Sequence, residues 1–192
     1  MDNQRIKSRK KLIVITGMPG SGKALSSKIL KALGIPVLAF GDVVREEAKR
    51  RGLKPTFENI GMLMLKMREE GGSAIMAKRL IPKIDRINSS LMVLEGARSM
   101  DEVDELKRCY DVVVVAVHSS PETRYERLLA RKRSDDPKSW EEFKERDERE
   151  LKVGIGNLIA LADKVVINEG SVEKLKVELE RVFKEVMKNW MR

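Results

Sequence analysis

The sequence has few of the residues on which disulfide-rich and zinc-binding proteins depend. Among its 192 residues there is one cysteine, Cys109. A single cysteine cannot form an internal disulfide, and it excludes a zinc site that relies on several cysteine ligands. We therefore expect the chain to reside in a reducing compartment, the cytoplasm. The lone histidine, His118, follows an apolar run, where a structural hydrogen-bonding role is the simpler interpretation.

Long apolar stretches are missing as well. No run approaches the roughly 18 apolar residues that a membrane span needs, so we expect no membrane partner. The basic start, MDNQRIKSRKK, has neither the apolar core nor the cleavage site of a secretory signal. Hydrophobic residues make up 42% and charged residues 36% of the chain, which predicts a folded, highly charged protein with one domain over residues 1–192.

Glutamine occurs only at Gln4, whereas lysine, arginine and glutamate are abundant. That bias is typical of proteins from thermophiles. The net charge of +9 favours polyanionic partners, among them nucleotides and nucleic acids. Many of the basic residues alternate with glutamates, as in REEAKRRG and ERDERELK, and this pattern also suits solvated helix faces.

Five short runs rich in β-branched residues show little polar alternation, which is typical of parallel strands buried on both faces. Helical patterns separate these runs. The sequence therefore predicts an α/β fold with a five-stranded parallel sheet between helical layers. The predicted strands are Lys11–Thr16, Pro36–Phe40, Leu91–Glu95, Val112–Val117 and Lys164–Asn168.

Three predicted helices have clear ends or faces. The first follows residue 22 and ends before Gly34, a second begins at Ser120 and Pro121, and the last begins at Ser171. One face of the first helix carries Leu25, Ile29, Leu30 and Leu33. The last helix carries an apolar stripe that we expect to pack on the sheet, formed by Val172, Leu175, Leu179, Val182, Val186 and Trp190.

The stretch GMPGSGK follows the first predicted strand and precedes a helix, which is the context of a phosphate-binding loop. Its glycines allow backbone N–H groups to point inward, and the helix that follows adds its positive end. Lys23 can reach the outer phosphates as a point charge. The predicted nucleotide-binding residues are Gly17, Met18, Pro19, Gly20, Ser21, Gly22, Lys23, Ala24 and Leu25.

The loop departs from the usual pattern directly after its lysine. The pattern G-x-x-x-x-G-K-[ST] places a hydroxyl there for magnesium, but this chain has Ala24 followed by Leu25. Ser26 and Ser27 could substitute, although a helix turns by roughly 100° per residue and can carry both hydroxyls away from the metal.

Acidic and basic residues follow the other predicted strands. The carboxyl ends of parallel strands meet at one edge of a sheet, where open α/β sheets bind their ligands. Taken singly, these residues have simpler interpretations as a helix cap or ordinary surface charges. They are Asp42 and Arg45 after the second strand, Glu95 and Arg98 after the third, Arg127 and Arg131 on the helix after the fourth, and Arg133 and Arg146 around a polar segment.

From about residue 11 to 170, the sequence resembles the nucleoside monophosphate kinase group of P-loop proteins, including an archaeal adenylate-kinase-like family of uncharacterised proteins. GMPGSGK resembles the adenylate kinase loop, which has glycine after its lysine. GDVVREEAK and LEGAR resemble the segments with acceptor-phosphate arginines, and ERLLAR the helix with two phosphate-clamping arginines. LADKVVINEGSVEKL, with Asp163 and Asn168, resembles the closing stretch of the more distant dephospho-coenzyme A kinases.

The resemblance implies a three-layer α/β/α P-loop NTPase fold with a helical acceptor-binding insert at about 46–90 and a short lid at about 132–150. It implies Mg²⁺-dependent phosphoryl transfer from ATP to a nucleoside monophosphate or a similar phosphorylated small molecule. The implied roles are transfer for Lys23, Arg127, Arg131, Arg133 and Arg146, acceptor binding for Asp42, Arg45 and Arg98, and metal contact, directly or through water, for Glu95 and Asp42.

The identity of the acceptor stays open, as do the choice between ATP and GTP and the oligomeric state. Adenylate kinases read adenine with a glutamine one turn after the second acceptor arginine, where this chain has Glu102. An ionised glutamate can only accept hydrogen bonds, so this position gives no support to AMP. The insert contains Met62, Met64, Met67 and Met76, which we expect to fill a core rather than to line an adaptable site.

Two alternatives to a kinase remain at this stage. One is a nucleotide-dependent switch or assembly factor, acting on RNA or a ribosomal particle with slow hydrolysis. The basic N-terminal tail, Ala24 and the net charge support it, and salt-sensitive RNA binding would favour it. The other is a nucleotide-binding protein that has lost catalysis.

Overall fold

The computed structural model describes residues 9–133 and 136–190. Its centre is a sheet in which every neighbouring pair of strands is parallel, in the order β2-β3-β1-β4-β5. β1 lies in the middle, so that Ile13 is paired with Val93 on one side and Val113 on the other. The predicted α/β fold is confirmed. The strands are β1 (Lys11–Thr16), β2 (Val37–Ala39), β3 (Leu91–Glu95), β4 (Asp111–His118) and β5 (Lys164–Ile167).

Apolar side chains on both faces of β1 divide the core into two parts. Leu12 and Val14 belong to one cluster, while Ile13 and Ile15 belong to the other, and none of the four is more than 2% exposed. Successive side chains of a strand point to opposite faces, so each cluster needs its own helical cover. This requirement produces the three layers.

Helices cover both faces of the sheet. The face of Ile13 is covered by α1 (Lys23–Ala32) and α9 (Val172–Trp190). The face of Leu12 is covered by α2 (Phe40–Arg50), α3 (Phe57–Gly71), α4 (Ile75–Arg86), α5 (Met100–Lys107) and α8 (Ile155–Ala160). Further along the chain, α6 (Pro121–Arg131) and α7 (Trp140–Val153) pack on each other through Tyr125, Trp140 and Phe143. None of the described helices has the length and apolar character required to cross a membrane.

The ends of several predicted elements differ from the structure. β4 is one residue longer at each end than the prediction Val112–Val117, and β5 ends one residue before Asn168. β2 is shorter than the prediction Pro36–Phe40, because Phe40 begins α2 and is buried in the core at 2% exposure. Ala39 therefore occupies the N-cap, and Asp42 lies in the first turn of α2 rather than at its cap. Leu33, placed on the apolar face of the first helix, is 54% exposed because it lies just beyond the end of α1.

The other predicted helix ends agree with the structure. Gly34 follows the end of α1 with φ of 83°, and Ser120 precedes α6 with Pro121 at its first position. The Ser120 hydroxyl contacts the Thr123 hydroxyl at 3.0 Å instead of a backbone N–H.

The predicted stripe of α9 is buried against the sheet through Leu175, Leu179, Val182 and Val186, and Trp190 packs there partly buried. Val172 does not share this role, because it is 53% exposed at the first position of the helix.

The insert forms the end of α2, all of α3 and α4, and the turns between them. Met64, Met67 and Met76 are each at most 3% exposed and belong to the main core, which confirms their packing role. Met62 is 62% exposed on the outer face of α3 and does not share that role. The insert is thus held to the sheet by methionines and aliphatic residues.

Candidate active site

The loop after β1 curves at the carboxyl edge of the sheet and ends in the first turn of α1. Gly20 and Gly22 have φ of 83° and 102°, a region that glycine adopts without strain. A Cβ at Gly20 would lie 2.6 Å from the carbonyl oxygen of Arg124, and one at Gly22 would collide with the side chain of Asn168. Because Gly22 is the N-cap of α1, the unpaired N–H groups of that helix begin at the loop, as anion binding requires.

Side chains from two other segments hold the loop from outside. The Asn168 side-chain nitrogen donates to the Ser21 carbonyl at 2.8 Å, and the Ser119 hydroxyl, 2.5 Å from the Asn168 carbonyl, lies 3.3 Å from the same Ser21 oxygen. Arg124 is 4% exposed, and its Nη1 donates to the Pro19 carbonyl at 3.2 Å. These contacts hold the Pro19 and Ser21 carbonyls, and with them the shape of the loop.

Arg124 also connects the loop to α7. Its Nη1 and Nη2 lie 2.8 and 2.5 Å from the two carboxylate oxygens of Asp147. The guanidinium carbon is 4.9 Å from the centre of the Phe143 ring, which belongs to the aromatic group between α6 and α7. No sequence pattern predicts this role of Arg124 and Asp147, because a local pattern cannot link two residues from different helices.

A cleft of about 770 Å³ opens beside this loop. It is lined by nine lysine and arginine residues and by two carboxylates, Asp42 and Glu95. Such an excess of positive charge in a concave site favours a ligand with several negative charges. Most of the predicted site residues line it together, namely Pro19, Gly20, Gly22, Lys23, Ala24, Leu25, Asp42, Arg45, Glu95, Arg98, Arg127, Arg131, Arg133 and Arg146. Of the remaining predicted residues, Gly17, Met18 and Ser21 are buried in the same loop.

The strand order divides the cleft into two halves on either side of Lys23. Asp42, Arg45 and Arg98 follow β2 and β3, which lie on one side of β1. Arg127 and residues 170–172 follow β4 and β5, which lie on the other side. The loop lysine therefore stands between two sets of cleft residues, and two ligands entering from opposite sides would meet there.

The cleft lining also includes two lysines of α1 for which no sequence motif predicted a role, Lys28 and Lys31. Val37 and Ala39 of β2, the edge strand on the side of Asp42 and Arg45, line the same cleft. The lining residues come from outside the range 46–90, within the part of the chain that the structure describes. Acceptor binding by the insert therefore stays a prediction.

Lys23 is half-buried, with its Nζ 3.4 Å from the Met18 carbonyl oxygen. Burial lowers the pKa of Lys23 from 10.5 to about 8, and the positive charges of Arg98 and Arg146 act in the same direction. The negative charge of Glu95 opposes this shift. A bound anion would raise this pKa again and stabilise the charged form of the lysine, which is the behaviour of an anion-binding site.

This lowered pKa predicts how binding depends on pH. Because an anionic nucleotide needs the charged form of Lys23, we expect ATP affinity to be constant below about pH 8 and to fall above it. With a pKa of about 8, the affinity should be about 30-fold weaker at about pH 9.5 than at about pH 7. Calorimetric titration of the wild type and of Lys23→Gln measures this effect. An equal pH dependence in both proteins would contradict the assignment.

The two predicted acceptor arginines already have carboxylate partners. Arg45 lies 2.6 Å from Asp42, and both side chains are more than half exposed to solvent. Arg98 Nε lies 2.6 Å from a carboxylate oxygen of Glu150 on α7, and Glu150 is 3% exposed. A phosphate that binds these arginines would compete with Asp42 at the surface and with Glu150 at a buried position.

The arginines in the other half contact groups near the loop and the predicted lid. Arg127 Nη1 donates to the Ser119 hydroxyl and to the Asn168 carbonyl, both at 2.9 Å. Arg131 forms an ion pair with Asp136, and Arg146 approaches the same carboxylate at 3.5 Å. Asp136 thus joins α6 to α7. The lid prediction includes residues 134 and 135, which lie outside the described residues.

Glu102, at the position where adenylate kinases read adenine, is fully buried. One of its oxygens lies 2.5 Å from Arg68 Nη2, and the other accepts the backbone N–H of Arg98 at 2.7 Å. Burial raises the pKa of Glu102 despite Arg68, and burial lowers the pKa of Arg68. Glu102 therefore positions the backbone of Arg98 and is not directed towards a base in the cleft.

The residues present fit a magnesium ion that is held mainly by its substrate. In residues 9–133 and 136–190, no group of three or more His, Cys, Asp or Glu side chains could hold a metal ion. Mg²⁺ commonly takes one or two carboxylates, with water and phosphate oxygens as its other ligands. Glu95 and Asp42 supply such a donor set. The Ser26 hydroxyl donates to the Gly22 carbonyl at 3.2 Å, which engages it within α1.

A family model and relatives of known sequence match most of this chain. A family model described as an AAA domain matches residues 16–144. A UPF0200 protein of Hyperthermus butylicus is 48% identical over 172 residues, which cover 90% of this chain and 92% of that protein. A UPF0200 protein of Pyrococcus abyssi is 44% identical over 181 residues, which cover 92% of this chain and 97% of that protein. The thermophilic origin of these relatives agrees with the expectation from composition, and their archaeal origin agrees with the family resemblance.

Two solved structures share the fold. TT1252 from Thermus thermophilus superposes with a TM-score of 0.65 at 23% identity, covering 93% of this chain and 98% of its own. Shikimate kinase from Acinetobacter baumannii, in complex with shikimate, superposes with a TM-score of 0.63 at 15% identity, covering 97% of each chain. At these identities the similarity establishes the three-layer fold and leaves the substrate open.

Proposed function

The chain belongs to the UPF0200 family of AAA-domain P-loop proteins, and from this premise we propose that it transfers a phosphoryl group from ATP to a phosphorylated small molecule, a nucleoside monophosphate or a similar compound. The observation that carries the proposal is the position of Lys23 between two sets of arginines in one cleft. A fold alone would not support this conclusion, because P-loop folds serve many reactions.

The donor nucleotide is assigned to the half of the cleft after β4 and β5. The loop N–H groups and Lys23 would bind the β- and γ-phosphates, as the N-terminus of α1 favours. Arg127 and residues 170–172 line the side on which the ribose and base would lie. Asn168 supports this arrangement because it contacts both the loop and, through its backbone, β4.

The acceptor is assigned to the half after β2 and β3, where Arg45 and Arg98 would bind its phosphate. An oxygen of that phosphate attacks the γ-phosphorus in line, a new P–O bond forms, and the bond to the β–γ bridging oxygen breaks to release ADP. This reaction needs alignment and charge neutralisation, and it needs no protein nucleophile. Mg²⁺, held by Glu95 and Asp42 directly or through water, would neutralise part of the phosphate charge.

Arg131, Arg133 and Arg146 would surround the transferred group from the side of the predicted lid. Closure of the segment at about 132–150 would exclude water, which limits hydrolysis of ATP. The shared contact of Arg131 and Arg146 with Asp136 supports a common movement of these residues.

A transfer assay tests the proposed function directly. Purified protein is incubated with Mg²⁺ and ATP or GTP, and with AMP, CMP, UMP, GMP or dephospho-coenzyme A as acceptor, while a reaction without acceptor measures hydrolysis. We expect transfer to at least one acceptor at a rate well above hydrolysis. Hydrolysis alone, or tight binding without turnover, would contradict the proposal and would favour the switch or the non-catalytic alternative. The basic tail that supports the switch falls largely in residues 1–8, outside the described residues.

Arg45 provides a test of the acceptor half. Arg45→Met should raise the KM for the acceptor about 10- to 100-fold, because it removes one charged hydrogen-bonding group from the bound phosphate. The KM for ATP should stay within about two-fold of the wild type, since ATP occupies the other half. Arg86→Met, at an exposed position on α4 outside the cleft, is the matched control. Equal changes in both KM values would contradict the division of the cleft.

A further inference from the structure

We propose that the acceptor has a second phosphate group, and that this group binds to Lys28 and Lys31 of α1. The inference rests on the proposed function, because it deepens the assignment of the acceptor half. Both lysines line the same cleft as Arg45, although neither belongs to the glycine loop. They are three residues apart and therefore lie on one face of α1.

The lining that includes Lys28 and Lys31 also includes Val37 and Ala39 of β2 and Gly41 at the start of α2, none of which carries a charge. Apart from Lys23, Lys28 and Lys31 are the charged residues that α1 contributes to the cleft. A molecule whose first phosphate binds Arg45 and Arg98 could therefore place a second phosphate at these two lysines.

The charge of α1 is unusual for this chain. Its sequence, KALSSKILKA, has three lysines and no acidic residue. On other helices, some exposed arginines pair with carboxylates three residues away, as in Arg108 with Glu105 and Arg181 with Glu178. Within the described part of the chain, neither Lys28 nor Lys31 forms an ion pair with a carboxylate. Two such charges one turn apart repel each other unless an anion binds them.

The helix dipole and nearby carboxylates explain the positive charge of α1 only in part. Lys31 lies in the last turn of α1, where the helix dipole favours a positive charge. Lys28 lies in the middle of the helix and has no such explanation. The nearby carboxylate of Asp42 is already engaged by Arg45. One phosphate bound by Arg45 and Arg98 would therefore leave both lysines without a counter-charge.

A second phosphate can come from two kinds of acceptor. It can be a second monoester on a small molecule, as in a nucleoside 3′,5′-bisphosphate. It can also be the internucleotide diester of a short 5′-phosphorylated oligonucleotide. Both present a phosphate close to a 5′-phosphate, so both would bind the same two lysines, and the difference between them is measurable.

The test is a binding measurement on the full chain, saturated with Mg²⁺ and a non-hydrolysable ATP analogue. The probes are the four ribonucleoside 5′-monophosphates, the four 3′,5′-bisphosphates and the four 5′-phosphorylated dinucleotides with identical bases. We expect at least one two-phosphate probe to bind about ten-fold more tightly than its monophosphate. Preference for the bisphosphate or for the dinucleotide then identifies the source of the second phosphate.

Lys28→Gln/Lys31→Gln should reduce that preference to within about two-fold. The matched control is Lys176→Gln/Lys184→Gln, which removes two exposed lysines of α9 outside the cleft and should retain the preference. The proposal is overturned if wild-type protein binds one- and two-phosphate probes alike, if no probe binds, or if the preference survives in Lys28→Gln/Lys31→Gln.

These experiments distinguish failure of the second-phosphate site at Lys28 and Lys31 from failure of the proposed phosphoryl transfer. If two-phosphate probes bind more tightly through these lysines but no probe accepts a phosphoryl group, the result would support the site and contradict the proposed transfer. Transfer to a monophosphate that is unaffected by Lys28→Gln/Lys31→Gln, with no preference for a second phosphate, would support the kinase and overturn the subsite.

Discussion

Lys23→Met is expected to lower the kcat for phosphoryl transfer about 100- to 1,000-fold without lowering the stability of the fold. The activity falls because the variant removes a positive charge from the γ-phosphate in a partly buried site, where such charges contribute most to transition-state stabilisation. The stability should not fall, because burial lowers the pKa of Lys23 to about 8. At neutral pH, the charged lysine is therefore less stable in the folded protein without nucleotide than in the unfolded chain.

The sign of this stability effect follows from the direction of the pKa shift. Lys23 has a lower pKa in the folded chain, about 8, than in the unfolded chain, 10.5, so burying its charged form costs free energy of folding. This cost is largest below about pH 8 and disappears as the pH rises towards 10.5. Methionine carries no charge and removes this cost at all pH values. Steady-state kinetics and urea unfolding at neutral pH measure both effects, with Lys176→Met as the exposed control. Loss of activity accompanied by a clear loss of stability would point to misfolding and contradict the prediction.

Arg124→Met is expected to lower the free energy of unfolding by about 3–5 kcal/mol, because it leaves the mostly buried carboxylate of Asp147 without its partner. The same change removes the donor to the Pro19 carbonyl, so ATP affinity should also fall. Asp147→Leu should cost a similar amount of stability by leaving the guanidinium unpaired. Urea unfolding and calorimetric ATP titration measure the two effects.

A double-mutant cycle separates this pair from ordinary packing. Arg124→Met/Asp147→Leu should be destabilised by less than the sum of the single variants, since neither charge is then left alone. Arg181→Met breaks an exposed pair with Glu178 and should change stability by no more than about 0.5 kcal/mol. Small and additive effects of the Arg124 and Asp147 substitutions would show that the pair does not hold the loop.

The features predicted from sequence are those fixed by local pattern. β1 and β3 match their predicted bounds because an apolar run forms the centre of each strand and glycine follows its last residue. The residues after the strands converge on one cleft because parallel strands all end at the same edge of the sheet. Glu95 and Arg98 are examples, since one ends β3 and the other follows it closely.

The features that sequence did not predict depend on contacts between distant segments. Arg124 resembles any surface arginine of a charged helix until α7 brings Asp147 to it. In the same way, Lys28 and Lys31 suit a solvated helix face, and only the folded chain shows that both line the cleft. The carboxylate of Glu102 could not be assigned to the core from its sequence position, because its partner Arg68 belongs to the insert.

The position of β1 between β3 and β4 has a consequence for the order in which the protein is made. β1 precedes the other described strands in the chain, but its partners on the two sides begin at Leu91 and Asp111. The strand before the glycine loop therefore has both of its neighbours only after residue 111 has been made. Pairing over such sequence separations is slow compared with local helix formation. A nascent chain would thus fix its phosphate-binding loop late, when the central strands of the sheet pair.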